Sequence, residues 1–258
     1  MIDFHNHIIP GLDDGSKTIE MSVAMLKEAE AQGITDVINT IHFQHPKMDK
    51  KNTDYKFIIE EIKKLQKIVD NENISIKIHP ASEVFFQFNL TKILSNPITT
   101  FGNGKYMLIE FQRLNFPKGY EEEIFKLQLK GVTPIIAHPE RYRPVQNDIN
   151  LVKSWINRGY IIQLDCASIL GGFGKETQLA ALSLLEHNLC HLVGSDAHND
   201  KKRNFLLKET LLYIEKKISK EASITFQENA KKILVGQDCI LYIKSRIKRK
   251  SIFNFFKK

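Results

Sequence analysis

The chain has 258 residues, enough for one substantial core, and its 42% hydrophobic and 26% charged residues are ordinary for a globular domain. The formal net charge of +7 resides in Lys244 to Lys258, which holds seven basic residues and no acid, so residues 1–243 sum to zero. A nucleic-acid role for the whole domain therefore lacks its electrostatic basis. No run of about 18 apolar residues predicts a transmembrane helix, and Asp3, His5, Asn6 and His7 interrupt the segment where a signal peptide would be continuously apolar. Cys166, Cys190 and Cys239 lack paired spacing and predict a reducing, cytoplasmic setting; none begins the Cys-x5-Arg loop of a thiol phosphatase.

Apolar, strand-like runs are predicted at residues 2–7, 36–42, 74–83, 106–111, 133–138, 160–165 and 190–195. Between the first two, Ile19, Val23 and Leu26 predict a helical stripe closed by Gly33 just past its end. Ile58, Ile62, Leu65 and Val69 form a second stripe, and later helices are predicted near 120–130, 148–158, 175–188, 203–217 and 220–234. This β-then-α order implies a parallel sheet with helices outside it. Runs such as Pro134-Ile135-Ile136-Ala137 suit strands covered on both faces. Seven strands favour a small barrel over an open doubly wound sheet, and no Gly-x-Gly-x-x-Gly or Walker loop is present. The expectation is one α/β barrel over residues 1–243, followed by a basic, aromatic tail over 244–258.

The predicted strands end in metal-ligand chemistry. The first ends in His5 and His7, the second in His42, the third in Glu83, the fourth in Glu110, the fifth in His138, and the last runs into Asp196 and His198. Residues two apart on a strand point the same way, so His-x-His and Asp-x-His each aim two donors into one space. In (β/α) barrels the C-terminal strand ends form one mouth, where active sites sit. Asp14, in the loop after the first strand, can reach it. Nine donors exceed the needs of one ion and could hold two or three. Mixed imidazole and carboxylate ligation suits Mn, Fe or Zn. A lone strand histidine is ordinarily a packed side chain, and His45, His79, His187 and His191 receive no chemistry. Asp3 and Asp13 are assigned supporting roles. Arg141 and Arg203 follow two of the strand ends. Their planar forks match phosphate oxygens, with a salt bridge to Glu140 or another carboxylate as the alternative.

At these residues the chain resembles the PHP (polymerase and histidinol phosphatase) superfamily, and more narrowly its bacterial capsule- and exopolysaccharide-associated protein-tyrosine phosphatases. The resemblance runs through residues 2–15, Leu108-Ile109-Glu110-Phe111, residues 127–142, Gly171-Gly172-Phe173-Gly174-Lys175 and residues 185–199. It implies a distorted seven-stranded (β/α)7 barrel of the PHP type with two to three divalent or trivalent ions, Mn foremost. Carried over, one metal takes His5, His7, Glu83 and Asp196. A second shares Glu83 and adds Glu110 and His138, and a third takes Asp14, His42 and His198. Arg141 and Arg203 match positions that contact substrate phosphate. One departure is visible: the family's Thr-Pro-His is here Thr40-Ile41-His42, and the following Phe43-Gln44-His45-Pro46 loop differs.

The resemblance implies metal-dependent hydrolysis of phosphotyrosine, with the tyrosine-rich tail of a bacterial kinase controlling polysaccharide export as partner. Hydrolysis by metal-activated water needs no phosphoenzyme, in keeping with the missing Cys-x5-Arg loop. The alternatives are a small-molecule phosphomonoesterase of the same superfamily, acting on a substrate such as histidinol phosphate, and a non-catalytic metal-binding regulator. In the tail, Ile247, Ile252, Phe253, Phe255 and Phe256 interleave with the basic residues. That pattern suits a solvated terminus, a peripheral anchor on an anionic membrane's inner face, or direct docking on an acidic segment of the kinase.

Overall fold

The computed structural model of the chain describes residues 1–48 and 50–242. Seven strands lie side by side in chain order, all parallel: β1 (Ile2–Asn6), β2 (Asp36–Phe43), β3 (Lys77–Phe85), β4 (Tyr106–Glu110), β5 (Thr133–Ala137), β6 (Ile161–Asp165) and β7 (Leu192–Gly194). Parallel neighbours need long crossovers. Helices supply most of them: α1 (Ile19–Ala31), α2 (Tyr55–Asn71), α3 (Tyr120–Leu129), the short α4 (Arg143–Asn147), α5 (Asn150–Asn157), α6 (Cys166–Leu170) and α7 (Lys175–Glu186). After β7, α8 (Leu207–Lys217) and α9 (Lys220–Leu234) complete the described chain. The sheet curls until its ends meet: His7 N donates to Ala197 O at 2.8 Å and Asp196 N to His5 O at 2.7 Å. This is the expected seven-stranded barrel. Among the described residues, no helix is long and apolar enough to cross a membrane.

Two layers of apolar contact hold it. Inside, Phe4, Ile38, Leu108, Ile135, Ile161 and Leu192 meet one another, and Ala230 and Ile233 of α9 join them. Outside, the helices press apolar faces against the strands; Trp155 is fully buried there and donates Nε1–H to Tyr120 Oη at 2.9 Å. Each such buried side chain contributes roughly 1.5–3 kcal/mol. All four residues of the α2 stripe are buried, and Asp54 caps that helix through Phe57 N.

Two expectations change. The α1 stripe is not Ile19, Val23 and Leu26, since Ile19 is 44% exposed. The buried face is Ser22, Met25, Leu26 and Ala29. Ser22 docks the helix by donating its hydroxyl to Ile8 O at 2.6 Å, so a polar residue holds a place that apolar periodicity gives to Val23. Gly33 does lie just past the helix with φ +85, where a left-handed backbone favours glycine. The third strand starts at Lys77 rather than residue 74. Ile74 and Ile76 are buried, but Gln66 of α2 donates to Ile76 O and accepts from Ile78 N, so this stretch is tied to a helix instead of a strand.

A register irregularity between Asp3 and Asn6 of β1 shapes the site. Ile2 and Phe4 face the inner apolar cluster. Strict alternation would then turn His5 and His7 away from the interior. The irregularity changes phase, and both imidazoles enter the mouth, a known use of bulged strands.

Candidate active site

The C-terminal strand ends bring every expected donor to one place. Four interlocking groups form there: His7, Asp14, His42 and His198; His5, His7 and Asp196; His5, Glu83 and His138; and His42, Glu83 and Glu110. Only the expected set of Asp14, His42 and His198 falls within one group; the first set is divided, because Glu83 does not group with His7 and Asp196, and the second is divided between two groups. His7 also joins Asp14, His42 and His198, and Glu110 groups with His42 while His138 groups with His5.

Hydrogen bonds away from the site aim the imidazoles. His5 Nδ1–H donates to Gln163 Oε1 at 2.8 Å, His7 Nδ1–H to Asp13 Oδ2 at 2.8 Å, and His198 Nδ1–H to Asp196 O at 2.8 Å. With a cation bound, these bonds would hold each ring in one tautomer with its Nε2 lone pair turned to the ion. The Nε2 atoms of His5 and His7 lie 3.3 Å apart. Asp13 also accepts from Gly15 N and His42 N, so it braces the loop as well as the ring. Asp3 is fully buried and accepts from Ser195 N and Oγ at 3.0 Å, which ties β1 to the end of β7.

Glu83 is the hub. Its Oε2 lies 3.3 Å from His5 Nε2, 3.5 Å from His7 Nε2 and 3.1 Å from His42 Nδ1, and its Oε1 lies 2.9 Å from His138 Nε2. Asp196 is split between two duties. Oδ1 faces the Nε2 atoms of His5 and His7 at 3.4 and 3.3 Å, while Oδ2 accepts from Arg141 at 2.5 Å and Arg203 at 2.7 Å. Half-exposed Asp14 spans His42 Nε2 and His198 Nε2, each at 3.3 Å. His138 and Asp196 hold left-handed backbones, φ +33 and +48. Such strain, about 1–3 kcal/mol for a non-glycine residue, gathers at functional sites.

The donor set fits metal ions on a direct observation. His42 Nδ1, Glu83 Oε2 and Glu110 Oε2 are buried with no hydrogen-bond partner. Buried polar groups are otherwise almost always satisfied, and an ion is one standard explanation when they are not. The charges agree. Burial opposes ionisation of Glu83, but His5 and His42 outweigh it and hold the carboxyl well below its usual range. Burial, with the Glu83 charge added, pushes Glu110 up to about 7. Burial, with Arg141 nearby, pushes His138 down to about 4. Crowded carboxylates beside a neutral imidazole are the surroundings a cation relieves.

Arg141 and Arg203 do form salt bridges, but not with Glu140. Both reach Asp196, and Arg141 also meets Asp165 Oδ2 at 3.2 Å. Glu140 turns inward to accept from Asp165 N. Phe173 lies under both guanidiniums, 4.6 Å from Arg141 and 5.4 Å from Arg203. Arg203 Nε is buried without a partner, so donor capacity remains for an anion. A cavity of about 620 Å³ adjoins the donors, and both arginines line it with His45, Lys47 and Arg113. His45, given no chemistry from sequence, stands beside His42 with Nε2 3.9 Å from Glu110. Gln163, Asp165, Phe173 and Arg113 escaped sequence reading altogether as site residues. His79, His187 and His191 stay outside the four groups, as expected.

The family model described as capsular polysaccharide synthesis, CpsB/CapC, matches residues 1–235. The tyrosine-protein phosphatase YwqE of Bacillus subtilis is 35% identical over 257 residues, 99% of this chain and 100% of that protein. The tyrosine-protein phosphatase CpsB of Streptococcus agalactiae is 31% identical, covering 91% of this chain and 98% of its own. A crystal structure from work on YwqE of B. subtilis and CpsB of Streptococcus pneumoniae, described as metal-dependent tyrosine phosphatases, matches with a TM-score of 0.88 at 34% identity. It covers 94% of this chain and 97% of that one. The family model and these relatives span nearly the whole chain, and the chain belongs to the CpsB/CapC family of capsular polysaccharide synthesis proteins.

Proposed function

We propose that this chain is a metal-dependent protein-tyrosine phosphatase acting in bacterial capsule or exopolysaccharide synthesis. The observation that carries the reading is that four interlocking donor groups lie beside two guanidiniums, both bonded to Asp196 of one of those groups, at an open cavity. Family membership gives the substrate class: the named relatives are tyrosine-protein phosphatases.

In this reading His5, His7, Asp14, His42, Glu83, Glu110, His138, Asp196 and His198 hold two to three ions, Mn foremost. Ions so bound would lower the pKa of water and neutralise phosphate charge. Arg141 and Arg203 clamp the non-bridging oxygens, and the unpartnered Arg203 Nε offers one further donor. Phe173 keeps the two forks side by side, and Asp165 fixes the depth of Arg141. A tyrosine phenolate, whose parent has a pKa near 10, leaves with little help from a general acid. The substrate is the phosphotyrosine tail of a bacterial tyrosine kinase, met in the cytoplasm. Residues 244–258, which lie outside the described residues, serve as a basic aromatic anchor on anionic membrane. Deleting them should reduce sedimentation with phosphatidylserine vesicles at low salt; equal binding by full-length and shortened chains contradicts the anchor.

The deciding assay compares a phosphotyrosine peptide with histidinol phosphate, with chelator and with added Mn. The expected result is chelator-sensitive peptide turnover that Mn restores. Preference for histidinol phosphate would favour the small-molecule reading, and no turnover at all would favour a non-catalytic regulator.

A further inference from the structure

The described residues include five arginines, and four have a carboxylate within reach: Arg141 with Asp165 and Asp196, Arg143 with Glu176, Arg158 with Glu121, and Arg203 with Asp196. Arg113 has no such ion pair among the described residues, yet it lines the catalytic cavity. Its place is fixed by the fold. Phe111, two residues earlier, is buried against Phe86, Phe116, Tyr120 and Trp155. Arg113 O accepts from Arg143 N at 2.8 Å. The residue is exposed enough to meet a ligand. Burial of its guanidinium and the like charge of Arg141 nevertheless push its pKa down, so a cation stands partly desolvated beside other cations.

Lys47, on the loop after β2, lines the same cavity and also has no ion pair among the described residues. Every carboxylate in the lining, namely Asp14, Glu83, Glu110 and Asp196, belongs to the donor groups. Among the described residues of the lining, Lys47 and Arg113 are the charged ones that belong neither to those groups nor to the two phosphate arginines. Both are thus free of the duties that occupy Arg141 and Arg203.

We propose that Arg113, with Lys47 in support, reads an acidic residue flanking the phosphotyrosine, so that the preferred substrates are phosphotyrosine segments with Asp or Glu within two positions of the tyrosine. The inference rests on the phosphatase reading above and narrows its substrate class. Successive residues of an extended peptide advance about 3.3 Å, so a neighbouring side chain lies within a long arginine's reach when the phosphotyrosine occupies the mouth. An arginine fork pairs with a carboxylate through charge-assisted hydrogen bonds, roughly twice as strong as neutral ones.

The test measures kcat/KM of the metal-replete full chain on three phosphotyrosine peptides that differ only in flanks: Glu, Ala or Lys at positions −2, −1, +1 and +2. The wild type should prefer Glu over Lys flanks by about tenfold or more, equivalent to one strong contact, with the preference shrinking at high salt. Arg113→Gln should reduce that ratio to within about threefold, and Arg113→Glu should reverse it. Reversal distinguishes charge reading from general damage, because a structural defect lowers all three peptides together. Equal wild-type turnover of the three peptides, or an unchanged ratio in Arg113→Gln, overturns the proposal while leaving the phosphatase reading intact. No turnover of any peptide by the wild type removes the reading on which it rests. If Arg113→Glu fails to fold, Arg113→Gln and the wild-type salt dependence decide the matter.

Discussion

The two ends of this barrel are built from the same strands and obey opposite rules. At the N-terminal end, Phe4, Ile38, Leu108, Ile135 and Leu192 face one another and α9 seals them with Ala230 and Ile233. Further along the same strands, or just past them, stand His5, His42, Glu110, Asp196 and their neighbours, several with orphaned polar atoms. The first end stabilises the fold by removing apolar surface from water. The second gathers charges that destabilise one another until cations are shared among them. Stability and chemistry are thus separated along the length of the strands, and in β1 the phase change is what turns His5 and His7 into the mouth.

That separation can be broken from either side. The largest effect should come from the mouth. His138→Ala or Asp196→Ala should lower kcat/KM on a phosphotyrosine peptide by about a thousandfold or more, roughly 4 kcal/mol of transition-state stabilisation, while far-ultraviolet circular dichroism stays native. Loss of the fold instead would mean that the mouth also carries stability. Phe4→Ala, at the sealed end, should do the reverse. Unfolding free energy should drop by about 3–5 kcal/mol, with metal content per folded molecule unchanged; loss of metal at temperatures where the variant is folded would join the two ends. A smaller effect concerns pH. His191 is buried near the start of β7, where Nδ1 accepts from Ile162 N at 3.1 Å, and burial pushes its pKa down to about 4. The unfolded chain takes up a proton near pH 6.5 and the folded one near 4. The stability it contributes is therefore complete above 6.5 and is lost as pH falls through 4, at most roughly 3 kcal/mol. His191→Asn keeps an acceptor for Ile162 N and should flatten that part of the acid-unfolding curve; an identical curve would mean the imidazole does not titrate in this window.

Much of this was legible from the sequence. The strands were, because a parallel strand covered on both faces is a continuous apolar run, and the donors were, because each sits at a strand's end, where the barrel converges. What could not be read depends on distant partners. Gln163 orients His5 from 158 residues away, and Asp165 reaches Arg141 only because β5 and β6 are neighbours. Ser22 anchors α1 by a hydrogen bond that a hydrophobicity pattern treats as a gap. Residues 74–76 look like strand because Ile74 and Ile76 are apolar and β-branched, yet Gln66 bonds the backbone at Ile76 and Ile78 first. That Arg113 has no ion pair among the described residues becomes visible only when the other four described arginines are seen to be paired.

The claim that the polar end is a multi-metal hydrolytic centre is tested most directly by one titration. Full-length protein stripped of metal should be given Mn stepwise while bound ions and phosphotyrosine-peptide turnover are followed in the same sample. Two to three ions per chain should bind, with turnover absent at the start and rising as they do. Full turnover in the metal-free protein, or saturation without any bound Mn, would contradict it.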